Sequence, residues 1–378
     1  MHKAFLIAAL LVAAAGCGSS AGNGGAGGSG GVGGTAGVGG AGGSGGMGGA
    51  GGSGGSIGET FTDVDWQTQA TLFPLELDHH VTFAARTESG LRLYVLGGVT
   101  DRTTFHGDGY MATIAADGSL GTWEETTALP EGIGGHSVLL AGDKVIVLGG
   151  RGSDIQNRAD VRIGTLQDDG HIAGWDAGPS LPDARFHQAA VLHDGFVYVL
   201  GGLMPAAATD AIVRASIDEA GQIGDWESAG AMPGPRSHHA ALVRNGWLYV
   251  FGGLSGNPMN GSDTTHGDVW RAALGQDGSL GTWETLAALP VPVSSMSAFE
   301  AGGAVFVVGG VQTSRYTGAV SRATFAPDGT LADWESVSEL PVARAHVHQL
   351  PVVDGRVYGV GGSTSTGSIA DVVIGALR

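Results

Sequence analysis

From Trp66 to the last residue the chain repeats itself about every 52 residues, and this period constrains the fold more than any local propensity does. Apolar runs end in a Gly-Gly pair six times, at Gly97-Gly98, Gly149-Gly150, Gly201-Gly202, Gly252-Gly253, Gly309-Gly310 and Gly361-Gly362. Six tryptophans alternate with them: Trp66, Trp123, Trp175, Trp226, Trp283 and Trp334. Most intervals from Trp to the next pair are 26 residues and most from pair to Trp are 25 or 26, so two insertions of about five residues stand out. A unit of this length buries its apolar face only against its neighbours, so the period predicts one array of about 320 residues, spanning 59–378, as a single domain.

The unit around the third pair can be read in full. Residues 187–193 are mostly apolar, Asp194-Gly195 is a two-residue hairpin signal, and Phe196–Leu200 is a β-branched and aromatic run. A variable loop follows the Gly-Gly pair and leads to a third strand over 211–217. A Gly-containing turn at 219–221 then opens a fourth strand carrying Trp226, which Met232-Pro233 ends, because proline has no ladder donor. The unit is therefore a four-stranded antiparallel sheet.

The order of apolar-Gly-Gly, third strand, Trp, Leu/Met-Pro and Arg-x-His resembles the kelch repeat over essentially all of 66–378. That resemblance implies an all-β, six-bladed β-propeller with four antiparallel strands per blade. Arg-x-His stands at Arg185/His187, Arg236/His238 and Arg344/His346, while the fifth unit has Ser294 and Met296 there. The last unit has no Trp of its own, and Trp66 precedes the first unit. Residues 66–74 are thus expected to form the fourth strand of the sixth blade, so that the N-terminal strand closes the ring and leaves no open edge.

The first 58 residues have no such pattern. His2 and Lys3 precede an apolar run from Ala4 to Ala15, which suits a signal-peptide core and is too short to span a bilayer. Ala14-Ala15-Gly16-Cys17 resembles a bacterial lipobox, with Ala14 where Leu is usual. The resemblance implies cleavage after residue 16, lipidation of Cys17 as the new N-terminus and, with Gly18 following, sorting to the outer membrane. Residues 17–58 then form a Gly-rich, charge-free tether with a span of roughly 35 Å. The expected location is the cell envelope, facing the periplasm or the cell surface, with a membrane contact through the lipid and a monomeric propeller. Cys17 is the sole cysteine, so the fold has no internal disulfide. Acidic residues outnumber basic ones 36 to 18 with no basic run, which excludes nucleic acid as a partner class.

Strand direction alternates, so the first-to-second and third-to-fourth turns share one face. Those turns are short: Asp194-Gly195, Asn245-Gly246, Asp354-Gly355, and the Asp-Gly pairs at 117, 169, 277 and 328. They read as turn formers, not metal ligands, and neither metal nor cofactor is expected. The opposite face carries the loops after each Gly-Gly pair, at 99–109, 151–158, 203–210, 254–268, 311–318 and 363–370. Function is expected on these variable loops. The longest includes Asn257, Asn260, Asp263, His266 and Asp268. Near the same mouth Arg185, Arg236, Arg344, His187, His238 and His346 ring the axis. They either knit blades together or offer guanidinium forks to an anion or carboxylate. The tryptophans read as inter-blade core.

Kelch-type galactose oxidases need a Tyr cross-linked to a Cys beside copper, which Cys17 rules out. Sialidase-like turns and a Tyr/Glu nucleophile pair are missing. The periplasmic sialic acid mutarotase type, also a six-bladed kelch propeller, would suit the arginines, but Glu131 and Asp183 are the only acidic residues placed for general acid/base work. The expectation is a non-catalytic module binding a glycan or protein. The alternatives are mutarotase-like sugar chemistry and a structural surface spacer.

Overall fold

The computed structural model describes residues 60–378. The signal segment, Cys17 and the tether lie outside the described residues. Those residues form six four-stranded antiparallel sheets and no helix. The third sheet runs Ala189–His193, Phe196–Leu200, Ala211–Ser216 and Glu227–Ala231, and Trp226 stands just ahead of the last strand. The hairpin works because Asp194 and Gly195 both take positive φ, 42° and 76°, whose twist matches the strands it joins. Asn245-Gly246 and Asp354-Gly355 repeat that geometry in the fourth and sixth blades.

The N-terminal strand closes the ring. Val64–Thr68 pairs antiparallel with Val372–Leu377 and completes the sheet of Val352–Val353 and Arg356–Val360. Trp66 lies opposite Gly375, where a Cβ would come within 2.8 Å of the indole ring, so glycine is what lets the indole lie on the strand. The strand stops at Thr68, earlier than 74, and the chain continues as a strap into blade one. In that strap Phe73 donates its N–H to Ala370 O at 2.8 Å and packs edge-on against Trp123 at 4.9 Å.

Blades meet through apolar clusters, such as Val81, Phe83, Tyr94 and Leu96 against Val138, Val145 and Val147. Two polar devices recur at the seams. Tyr94, Tyr198, Tyr249 and Tyr358 hydroxyls donate to the carbonyls of Gly170, Gly278, Gly329 and Gly118, the Asp-Gly turn of the next blade, at 2.7 to 3.0 Å. The indoles of Trp66, Trp175, Trp226, Trp283 and Trp334 donate to a carbonyl of the preceding blade at 2.7 to 3.3 Å. Five of the six tryptophans are half-exposed, so they join blades at the rim, not in a sealed core. In the Asp-Gly turns the Asp117, Asp169, Asp277 and Asp328 carboxylates accept backbone N–H groups two residues on.

The Gly-Gly pairs bring each blade close to the axis. Gly97 and Gly98 take φ of 61° and 114°, and a Cβ on Gly98 would lie 2.9 Å from Asp78 O and 2.8 Å from His80 Cβ. No other residue both adopts that backbone and fits that gap.

Candidate functional site

One residue from each blade stands at the entrance to its inner strand: His79, Gly135, His187, His238, Ser295 and His346. All six have left-handed backbones, with φ between 54° and 66°. Each donates its N–H to the carbonyl of the residue in the preceding blade, at 2.7 to 3.0 Å, and His79 donates to His346, so the bonds run full circle. This hydrogen-bonded hoop fixes where the side chains go. Four of the six are imidazoles, and they meet.

His187 stacks on His238 with ring centres 3.6 Å apart, and His79 stacks on His346 at 4.1 Å. His348, two residues further into blade six, lies 5.2 Å from His187 and 6.0 Å from His79. The structure thus brings together three of the expected histidines, His187, His238 and His346, and adds His79 and His348. His79 lacks the Arg-x-His signature, having Leu77 in the arginine's place, and it stands 18 residues before its Gly-Gly pair, where His187 and His238 stand 14 before theirs. The longer first hairpin of blade one, Val81–Thr87 with Gly90–Thr100, accounts for the offset.

Burial favours the neutral form of four of these rings, His187, His238, His346 and His348. The His238 imidazole is pushed down to about 3 by burial and by the neighbouring His79 and His239. His187, His346 and His348 are held well below 6.5 by burial first and then by their neighbours, His79 and His238 foremost. Three of the five rings are anchored through Nδ1. His79 Nδ1 bonds the Asp78 carboxylate, which also accepts the Ser368 hydroxyl at 2.8 Å. His346 Nδ1 meets Ser363 Oγ at 2.7 Å and His238 Nδ1 meets Ser237 Oγ at 3.0 Å.

The three arginines point elsewhere. Arg185 is fully buried, donates to Gly201 O at 3.0 Å and has the Asp183 carboxylate at 3.6 Å. Arg344 repeats this with Gly361 O at 2.9 Å and Asp371 at 3.6 Å. Arg236 pairs with Asp268 at 2.7 Å and lies over the Trp270 ring at 4.3 Å. Arg185 and Arg344 therefore staple their blades to the carbonyl of the Gly-Gly pair, and Arg236 is held by Asp268 and the Pro235 carbonyl instead. His266 joins the blade-four network, with Nε2 at 2.8 Å from Ser255 Oγ and Nδ1 at 3.5 Å from Asp268. Glu131 is held by Arg158 through three contacts of 2.8 to 3.1 Å, and the pairing pushes that guanidinium above its ordinary value. A carboxylate gripped in this way is poorly placed to trade protons with a substrate.

The loops are laced to one another. Asn157 reaches Leu203 O at 3.0 Å, Asn257 reaches Ala206 O at 2.9 Å, and Ala208 N reaches Gly256 O at 2.8 Å, joining blades two, three and four. Above this lacing Ile155 and Met259 are 49% and 63% exposed. Two small seams are lined by Arg344, Leu340 and Leu350 and by Glu131, Arg158 and Asp160.

The model of the KLHDC2/KLHL20/DRC7 Kelch-repeats domain matches residues 78–310. Among curated proteins, Kelch-like protein terF of Aspergillus terreus is 23% identical over 75% of this chain and 61% of its own length. Beta-scruin of Limulus polyphemus is 26% identical over 44% of this chain and 18% of its own. Kelch-like protein 33 of Homo sapiens is 30% identical over 39% and 27%. The chain thus spans from about a fifth to about three fifths of the length of these relatives. The solved structure of YjhT superposes with a TM-score of 0.62 at 15% identity, covering 81% of this chain and 97% of that one, which supports the propeller architecture alone. With the family match over most of the repeat region and six blades in the expected order, the chain belongs to the kelch-repeat β-propeller family.

Proposed function

We infer that this chain is a non-catalytic binding module, tethered to the cell envelope, which engages a protein or glycan through its loop face. Kelch propellers in general serve as protein-interaction modules, and the loop face supports that use here. The observation that carries the reading is the contrast between axis and loops. The axial mouth is filled by imidazoles and the arginines are engaged inside their blades, while the laced loops of blades two to four raise Ile155 and Met259 into solvent. Exposed apolar side chains on a rigid base suit a protein surface better than a small acidic sugar.

Tethering rests on the signal-like segment and Cys17. Metabolic labelling with a palmitate analogue should mark the full chain and not the Cys17→Ser variant. Equal labelling of both removes the anchor. For the module itself, residues 60–378 are screened against purified envelope proteins and a glycan array, alongside an Ile155→Asp/Met259→Asp variant. The reading expects a ligand whose affinity falls at least tenfold in the variant. A ligand that binds both equally places the site elsewhere, and acceleration of sugar anomer exchange would favour the enzyme alternative.

A further inference from the structure

The residue in front of each hoop member is tied to the base of its own blade's loop. Asp78 bridges to Val99, Gly134 to Arg151, Phe186 to Leu203, Ser237 to Leu254, Ser294 to Val311 and Ala345 to Ser363. The hoop therefore carries the bases of all six loops, and opening it frees them. Its five members other than glycine all hold left-handed backbones, a conformation that persists only where the surroundings enforce it. Here the enforcing parts are the circle of backbone hydrogen bonds and the imidazole stacks inside it.

The stacks suit uncharged rings. Ring centres 3.6 Å apart in His187 and His238, and 4.1 Å apart in His79 and His346, are too close for water to screen two charges. His348 lies 5.2, 6.0 and 6.3 Å from His187, His79 and His346. Among the described residues Asp78 is the one carboxylate in contact with the five rings, and it touches His79 alone. The other ionisable groups that face the cluster are basic: His80 and Arg102 from blade one, His136 from blade two and His239 from blade four. Arg151 stands behind Phe186, which packs on His187, and blade five presents Ser295, which does not titrate. The cluster thus has a counter-charge for one proton and none for a second.

We propose that the axial histidines form an acid-sensitive latch: below neutral pH a second proton entering the cluster parts the stacks, breaks the hoop and releases the loop bases, while the six blades stay folded. The sign follows from burial, which lowers His187, His238, His346 and His348 from 6.5 in the closed hoop. The open hoop exposes these rings to water and binds more protons. The closed hoop is therefore most stable above about pH 6.5 and loses stability as pH falls below it.

Amide hydrogen exchange of the intact chain, followed by NMR from about pH 7.5 to about pH 5.5 and corrected for the intrinsic rate, reads the hoop directly. At the acid end the six hoop amides should be at least about tenfold less protected than amides of the second strands Phe196–Leu200 and Trp247–Phe251. The pH dependence of their opening should report uptake of about two or more protons. In His187→Asn/His346→Asn each stack keeps one ring, asparagine tolerates the left-handed backbone, and the uptake should drop by about one proton or more. Hoop amides as well protected as the second strands at the acid end, or uptake of one proton or fewer, overturn the latch. A folded variant that keeps the full uptake overturns it as well. If the variant does not fold, the wild-type proton count decides.

Discussion

Arg185→Ala should lower unfolding stability by about 3 kcal/mol in urea titration, because it orphans the Gly201 carbonyl beneath the Gly-Gly pair and leaves Asp183 without its counter-charge. Ligand affinity of the folded fraction should be unchanged if that arginine is a staple, and lost if it is a binding group. The histidines behind the hoop make a second prediction at this scale. Burial pushes His136 and His239 down to about 3 and His80 down to about 4, against an ordinary 6.5. The unfolded chain takes up these protons first as pH falls. The stability is therefore complete above about pH 6.5 and is lost progressively towards pH 4. Urea midpoints measured from pH 8 to pH 5 should fall, with a steeper slope than a surface histidine would give. A flat profile would mean that these rings are hydrated.

Tyr249→Phe should cost about 1 kcal/mol, since it removes one buried hydrogen bond from the seam between blades four and five and leaves the packing intact. Differential unfolding of the variant against wild type measures it. Strands, hairpins and the Gly-Gly approach were legible because each follows from local chemistry repeated in phase, as Asp194-Gly195 and Phe196–Leu200 illustrate. What depends on the whole ring was not. His79 escaped notice because a longer hairpin shifts it out of register with His187. His348 stands two residues after His346, where the other blades carry small or aliphatic residues such as Ala189 and Ala240, so its imidazole follows from one residue choice that no repeat signature marks. The arginines were legible as a pattern, but the direction of Arg185 and Arg344 depends on the carbonyl of the Gly-Gly pair, and that of Arg236 on Asp268, which only the folded blade presents.

At the scale of the molecule, the first described strand finishes the last blade, so both ends of the repeat region are held by one sheet. Val64 and Trp66 are buried there, and Asp63 accepts from the Ser338 backbone and hydroxyl at 2.8 Å in blade five. Because every functional reading above presumes a closed, rigid ring that aims the loops and gathers the imidazoles, closure is the claim to test first. Thermal unfolding of three chains does so: residues 18–378, the same chain without 18–58, and the same chain without 60–74. Losing the Gly-rich segment should leave Tm within about 1 °C. Losing the closing strand and strap should lower it by about 10 °C or more, as expected when a domain of this size gives up several kcal/mol. An unchanged Tm without residues 60–74 would contradict the closed six-bladed ring.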